Sequence, residues 1–504
     1  MAGPVVTSPR IGVMHRALAS IAPRTAARRL AARMSHENLM RSYEAAARDR
    51  STDGWNAGGG SADAHVSASA ALMRERMRDL VRNNPLAANA VEVLVDSMVG
   101  AGVMPRAKTG NKDQDRRIDE LFSEWSKNAC ADGHTDFGGV LRLAVREMLE
   151  GGDVFAVRRR RRRNSGLKVP MQIELKEADH LDGTRFGNLA GGGRISQGIE
   201  YDPQGRRTAY HLFPDHPGSL EGYTSIEPQR VPADQVAHLF ERQRVQSRGV
   251  PWGVPALRRL RDVDDWQVAE LVRKKTEACM VAMVIGDDAE QTSLTPGVVD
   301  ADGVMIDQFS PGLIGYVQGG KDVKFNTPGS TAGVAEWHRV QLHIIAAGFR
   351  VPYALLTGDL SQVNFSSSRV GLNEFRRMVS AFQWTVLIPM LCERIWGWFV
   401  EAAYLAGHIG TDKVPVEWAP ERFESVNPLQ DVQADQAEVR AGFATQTQMI
   451  AKRGEDPAKV RKEWQEDAAA NDAAGLVFDS DPRRVSKGGG AQPSDPADAD
   501  LANS

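Results

Sequence analysis

Cysteine is scarce in this chain: Cys130, Cys279 and Cys392 are the only three in 504 residues. They stand far apart and are not interleaved with histidine at metal-ligand spacing, which excludes a disulfide framework and a zinc site. The pattern fits a reducing cytoplasm, with each cysteine a small buried hydrophobe. Excess charge of either sign is missing too. With 62 Lys and Arg against 65 Asp and Glu, the formal net charge is −3. No global cationic field is available to drive non-specific polyanion binding, so any such contact must be local. Long apolar runs are absent as well. The most apolar window, VLIPMLCERIWGWFVEAAYLAG, carries Glu393, Arg394 and Glu401; it reads as a packed helix rather than a membrane span, and no membrane partner is expected.

The signatures of catalysis are also wanting. There is no HExxH, GxSxG or CxxC element, and the eleven histidines are scattered. The acid pairs Asp264-Asp265 and Asp287-Asp288 point to different sides of a helix and read as solvated surface. One near miss occurs in GYVQGGKD, where Gly315, Gly320 and Lys321 have P-loop spacing. Asp322 stands where a Ser or Thr would ligate magnesium, and VKF continues as a strand, so a Gly-Gly hairpin turn is expected instead. Neither catalytic residues nor metal or cofactor ligands are assigned.

What the chain does have is a succession of distinct textures. A basic arm comes first, rich in Arg and Ala and without an acid before Glu37; it resembles a transit peptide but reads better as a segment ordered on a partner or neighbouring subunit. The Gly/Ser/Ala-rich stretch NAGGGSADAHVSASA reads as a flexible linker, with order expected from about Ala70. Asn84-Pro85 is a helix start, with Val91, Leu94 and Met98 on one face until Gly100. A second helix is expected from Asp136, with Val140, Ala144 and Met148 inward, ending at Gly151-Gly152. To about Phe240 the texture is β: MQIEL, GIEYD, TAYHLF and DQVAHLF, with DPQGR a reverse turn. Helical periodicity returns over Leu257 to Met280 and again in AEWHRVQLHIIAAGF. From about Ser367 a long helix buries Leu372, Phe375, Val379, Phe382 and Val386, with a kink expected at Pro389. Short helices follow from Val432 to Trp464, then a polar tail.

Six consecutive arginines, Arg158, Arg159, Arg160, Arg161, Arg162 and Arg163, stand between VFAV and VPMQIEL, with a turn at Asn164-Ser165-Gly166. This places them on the tip of a β-hairpin, either as an exposed solvated edge or as a contact for an anionic partner.

Three stretches together resemble the lambda-like portal family of tailed bacteriophages: VRNNPLAANAVEVLVDSMVGAGV, RGVPWGVPALRRLRDVDDWQVAELVRKKTEAC and AAGFRVPYALLTGDLSQVNFSSSRVGLNEFRR. The resemblance implies an α+β portal fold assembled as a ring of about twelve subunits at one capsid vertex, closed by one heterologous interface. Double-stranded DNA would be packaged and ejected through the hole. Partners would be the terminase large subunit, then head-tail adaptor proteins, with capsid and scaffold around the rim. The location would be the virion, and the host cytoplasm during assembly.

Carried onto this sequence, residues 1–69 would be arm and linker and 70–253 the wing. Residues 254–284 would be the first stem helix, 285–330 the clip and 331–350 the second stem helix. A tunnel loop would cover 351–367, with Asp359, Leu360, Ser361, Gln362, Val363 and Asn364 facing DNA. The long kinked helix and return would span 368–430, crown helices 431–468 and a disordered tail 469–504. The arginine run, the LAGGGR loop and the basic arm match no family feature. Two other readings stay open: a DNA-packaging enzyme, ATPase or nuclease, and a prophage-derived structural protein with no packaging role.

Overall fold

The architecture follows from capped helices laid against small sheets. The computed structural model describes residues 59–478, apart from 163, 220–226, 279–281, 287–313, 319–321, 326–332, 362–364, 422, 424–427, 454–456 and 477. The basic arm lies outside these residues. The first described helix, α1, runs Ala62–Asn83, so helix starts inside the stretch expected to be a linker. Among the described residues of that stretch, only Gly59, Gly60 and Ser61 are coil. Ala62, Val66, Met77 and Leu80 give α1 a buried side, and Asp63 in the first turn accepts from Ser247 N (2.6 Å) and Ser247 Oγ (2.9 Å).

Helix α2 (Pro85–Val99) begins as its sequence dictates. Asn84 accepts from Leu86 N and Ala87 N, satisfying two of the first-turn donors, and Pro85 fills the position that needs none. Strand β1 (Met104–Ala107) and α3 (Lys112–Ser126) follow; α3 is capped by Asn111 and buries Ile118, Phe122 and Trp125. Helix α4 (Phe137–Gly151) is capped by Asp136 and buries Val140, Ala144 and Met148. These helices meet α9 (Glu393–Leu405) in an aromatic cluster. Phe122 lies 5.4 Å from Phe137 and 5.1 Å from Phe399, both edge-on, an arrangement that favours ring quadrupoles.

Strands β2 (Val154–Arg160) and β3 (Met171–Glu177) form an antiparallel hairpin, and β9 (Val236–Leu239) pairs with the other edge of β2. A second sheet orders β4 (Gly187–Asn188), β5 (Arg194–Ser196), β6 (Ile199–Tyr201), β7 (Arg207–Leu212) and β8 (Gln229–Pro232) as a meander. The DPQGR turn joins β6 to β7, with Gly205 N donating to Asp202 O at φ +81°. Phe155, Val157, Ile199, Tyr210, Leu212 and Val236 form a small core of their own.

Two long helices come next, α5 (Val254–Ala278) and α6 (Val334–Phe349). Between them lie β10 (Ala282–Gly286), β11 (Ile314–Gln318) and β12 (Asp322–Phe325). β10 is central, parallel to β11 and antiparallel to β12. The expected Gly-Gly hairpin is therefore corrected: β11 and β12 flank β10 and do not pair.

After α7 (Tyr353–Thr357), the long helix α8 starts at Phe365, two residues early, and ends at Phe382. Phe375, Val379 and Phe382 are buried as expected, whereas Leu372 and Val386 are only half-buried. The expected kink at Pro389 takes a different form: Gln383–Cys392 is a ten-residue π-helical stretch leading without a break into α9. A wider i→i+5 turn relieves the clash between a proline ring and the preceding carbonyls. β13 (Val416–Ala419) then pairs antiparallel with β1. Helices α10 (Pro428–Arg440), α11 (Gln446–Lys452) and α12 (Pro457–Ala474) end the described chain; α12 runs six residues into the segment expected to be a tail. Cys130 and Cys392 are buried free thiols, and Cys279 lies outside the described residues. Among the described residues no helix is long and apolar enough to cross a membrane.

Candidate functional site

The two long helices are anchored at their base by a buried polar joint. Asp153, between α4 and β2, is 1% exposed and accepts from His238 Nε2 (3.0 Å), Arg248 Nε (2.5 Å) and Gly249 N. Burial alone would push this carboxyl up, but the Arg248 guanidinium, His238 and the Gly249 N–H hold it well below the usual range. Burial is the main reason that His238 falls to about 4, outweighing the attraction of Asp153. Arg207 closes the other side, its Nη1 2.7 Å from His238 Nδ1 and its Nη2 donating to Ser247 O at 2.9 Å. Gly249 is required here, because a Cβ would stand 1.9 Å from Gly152 O.

At the far end of α6, Arg350 adopts φ +58° and donates to both oxygens of Glu241 (2.7 and 3.0 Å). Its guanidinium lies 4.1 Å over the Trp252 ring, whose Nε1 donates to Phe349 O. Both helices are thus tied to the sheets beneath. None of Asp153, His238, Arg248 and Arg350 stood out in the sequence; they converge from separate elements, and no local spacing marks them.

Above that base the helix pair is less covered. From Asp264 to Lys275 no residue of α5 is buried. The two helices touch through Trp266 and Trp337 (ring centroids 4.5 Å) and through Gln267 and His338 (Nε2 to Nε2 3.3 Å). Val268, Leu271, Val340 and Ile344 remain 59%, 55%, 54% and 45% exposed.

The loop expected to face DNA follows α7. Asn89 anchors its start, donating to Leu355 O (2.9 Å) and Leu356 O (2.8 Å). Asp359, its one acid, is engaged at both oxygens, by Ser361 N (2.9 Å) and the Tyr353 hydroxyl (3.0 Å). Ser361 chiefly, and Tyr353 with it, lower its pKa, so it is a structural carboxylate. Leu360 points outward, 68% exposed, and Ser361 is exposed beside it. Gln362, Val363 and Asn364 lie outside the described residues.

The arginine run is not a free tip. Arg158, Arg159 and Arg160 continue β2 in register with Ile173, Gln172 and Met171. Arg158 is buried, with Nη1 donating to Glu401 of α9 at 2.7 Å and Nη2 to Trp398 O at 3.4 Å. Arg159 pairs with Glu174, and Arg160 reaches Glu401 at 3.4 Å. Arg161 bonds Gln172 (2.7 Å) and Ala131 O (3.1 Å). The expectation that the whole run sits at the hairpin tip is corrected for Arg158, Arg159 and Arg160, which lie within β2. Pairing with β3 carries the strand into the run, and Glu401 and Glu174 neutralise its first members. Arg160, Arg161 and Arg162 are exposed; Arg163 lies outside the described residues.

Glu177, Asp179 and His216 bring three potential metal-ligand atoms together. Arg78 occupies both carboxylates at 2.6 and 2.7 Å, and Arg74 adds a 3.0 Å bond to Asp179, so the cluster is a charge-balanced ion network.

Comparison with known proteins agrees with the resemblance read from the sequence. The family described as phage portal protein, lambda family, matches residues 48–383, two thirds of the chain. The probable portal protein of Halomonas phage phiHAP-1 is 27% identical over 456 residues, covering 85% of this chain and 86% of that protein. Portal protein B of Escherichia phage lambda is 21% identical over 472 residues, covering 84% and 88%. A chain from the neck of an empty gene transfer agent particle superposes with a TM-score of 0.43 at 15% identity, over 76% of this chain and 93% of that one. With the family match spanning two thirds of its length, the chain belongs to the lambda family of phage portal proteins, a structural and non-enzymatic virion component with a mixed α+β fold.

Proposed function

We propose that this portal protein forms a closed ring at one capsid vertex, through which double-stranded DNA is packaged and later ejected. Terminase would dock first and head-tail adaptor proteins afterwards. The sheets and helices before Val254 act as the wing, α5 and α6 as the stem, the β10–β12 sheet as the clip, the loop after α7 as the tunnel loop and α10–α12 as the crown.

The observation that carries this reading is the stem pair. A chain of the portal family holds two long helices by a buried joint at one end and leaves apolar residues exposed along their length, an arrangement that suits packing against further copies. The tunnel loop suits passage of DNA. Every phosphate neutralised by a fixed Lys or Arg adds affinity and therefore friction, and the segment from Thr357 to Ser368 contains no base. Its single acid is held internally by Tyr353 and Ser361, so Leu360 and small polar groups are what the loop offers to DNA.

The test is the mass and shape of the purified protein, by light scattering and negative-stain microscopy. Rings with a central hole wide enough for duplex DNA are expected. A compact closed dimer would overturn the reading.

A further inference from the structure

The arginine hairpin and the last turns of α9 build one exposed surface. Side chains alternate along a strand, and their partners show which side each arginine takes. Arg159 and Arg161 reach Glu174 and Gln172 of β3, whereas Arg158 and Arg160 both reach Glu401 of α9. Arg161 N donates to Pro170 O at 2.8 Å, so the pairing runs one residue past β2 and puts Arg162 on the α9 side as well. Three guanidiniums on that side share one carboxylate, and the exposed Arg162 side chain has no partner among the described residues. Tyr404 and Leu405 stand three and four residues beyond Glu401, one turn further along the same face, and are 45% and 58% exposed. His408 Nε2 lies 3.0 Å from Lys168 O, so this end of α9 runs beside the hairpin toward its turn. Net positive charge and apolar area are thus side by side.

The chain carries a segment of matching chemistry. From Gly488 to Ser504 there is no Lys or Arg, and Asp495, Asp498, Asp500 and Leu501 stand close together after a run of three glycines. Asp498 and Asp500 are two residues apart, as are Arg160 and Arg162, a spacing of about 7 Å in extended chain. Leu501 comes next, just as Tyr404 and Leu405 lie next to the arginines. Duplex DNA would use the arginines and leave the two apolar side chains in water; this segment uses both. Sixteen residues, Asp479 to Ser494, join it to Phe478 and span up to about 55 Å. A few exposed ion pairs hold separate molecules together only weakly. A tether of that length raises the effective concentration to roughly the millimolar range, which keeps even a weak contact occupied.

We propose that the acidic segment Asp495 to Leu501 of this protein docks on the surface formed by Arg160, Arg162, Tyr404 and Leu405. Its carboxylates lie on the two guanidiniums and Leu501 lies on the apolar pair. The docked segment neutralises the charge that Glu401 leaves over. The contact goes beyond the ring reading, and its test does not need rings.

The test follows the mobility of the segment in the full chain. In a Cys279→Ser background, where Cys130 and Cys392 are buried, Ala499→Cys is labelled with a small uncharged fluorophore and its anisotropy is measured. Three further variants carry the same label: Arg160→Ser with Arg162→Ser, Leu405→Ser alone, and Asp495, Asp498 and Asp500 each replaced by Asn. The last of these leaves every described residue unchanged, so a folding defect cannot account for its result. High anisotropy is expected in the parent, with a fall of about twofold in each variant and in about 0.5 M salt, where the screening length drops to about 4 Å. A label as mobile in the parent as in the Asn variant would overturn the proposal. So would a label that stays immobile in the arginine variant, because the segment would then be docked elsewhere. A duplex of about twenty base pairs is titrated in parallel; a label mobile throughout, with duplex binding that the arginine variant loses, would give the surface to DNA instead.

Discussion

Asp153 shows how one residue can set the geometry of a whole joint. Its carboxylate receives Arg248, His238 and the Gly249 N–H in a site that water does not reach, and removing it strands a buried guanidinium and a backbone donor. Asp153→Ala is expected to lose about 3–5 kcal/mol of stability in denaturant unfolding. A loss under 1 kcal/mol would mean that the joint is not integral to the fold. Glu147 acts in the opposite direction. Burial, with Glu177 adding to it, lifts its pKa from 4.5 to about 7, so the native state binds a proton that the unfolded state has released between those values. Stability tied to this group is therefore lost as pH rises from 4.5 through 7. Glu147→Gln should raise stability at pH 8 by about 2 kcal/mol and change it little at pH 4; a thermal midpoint measured at both pH values checks the sign. The arginine run separates into members paired with carboxylates, Arg158 to Arg160, and exposed members without one, Arg161, which bonds Gln172 and Ala131 O, and Arg162. Replacing Arg161 and Arg162 by Ser leaves the Arg158–Glu401 bridge in place, so folding should be unaffected, and lower particle yield or DNA content would mark these two as the anionic-partner contact. Unchanged particles would leave them a solvated edge.

Among the elements, those with strong local signals are the ones the sequence specifies most firmly. Asn84-Pro85, Asp136 and Gly151-Gly152 bound helices because caps and positive-φ glycines satisfy backbone groups locally. The π-helical stretch was legible only as a proline inside an apolar pattern. Proline forbids one hydrogen bond but does not choose between a kink and a widened turn; packing of Leu387, Ile388 and Leu391 in the core accompanies the second solution. The pairing of β1 with β13 joins residues about three hundred positions apart, a distance over which no periodicity speaks. For the loop after α7, its anchoring by Asn89 and internal use of Asp359 make it separable from the helices around it. Deleting Leu360 to Val363 is expected to leave ring formation intact and to lower the DNA retained per particle. Normal DNA content in that variant would remove the loop from the passage of DNA.

For the whole molecule, the near balance of charge and the exposed apolar residues of α5 and α6 describe a chain suited to company. Twelve copies of a 55.1 kDa chain would have a mass of about 660 kDa. Because the exposed side chains Val268, Leu271, Val340 and Ile344 are apolar, assembly held by them should survive salt that screens surface charge. Raising ionic strength from 0.1 to 0.5 M in light scattering is therefore expected to leave the ring mass unchanged, whereas dissociation over that range would place the interface on surface charge instead.

By itself the sequence determined the starts of α2 and α4 at Asn84 and Asp136, their stops at Gly100 and Gly152, the alternation of the β segment and the family, because each depends on neighbours within a few residues or on long matched stretches. It also excluded a membrane-spanning helix in its most apolar window, through the charges placed there. Tertiary structure decided the rest: which arginine is buried, how β10 comes to lie between β11 and β12, and how Asp153, His238, Arg248 and Arg350 meet under the stem. These depend on contacts between residues far apart in the chain, and their energies arise from desolvation and from partners that local sequence does not name.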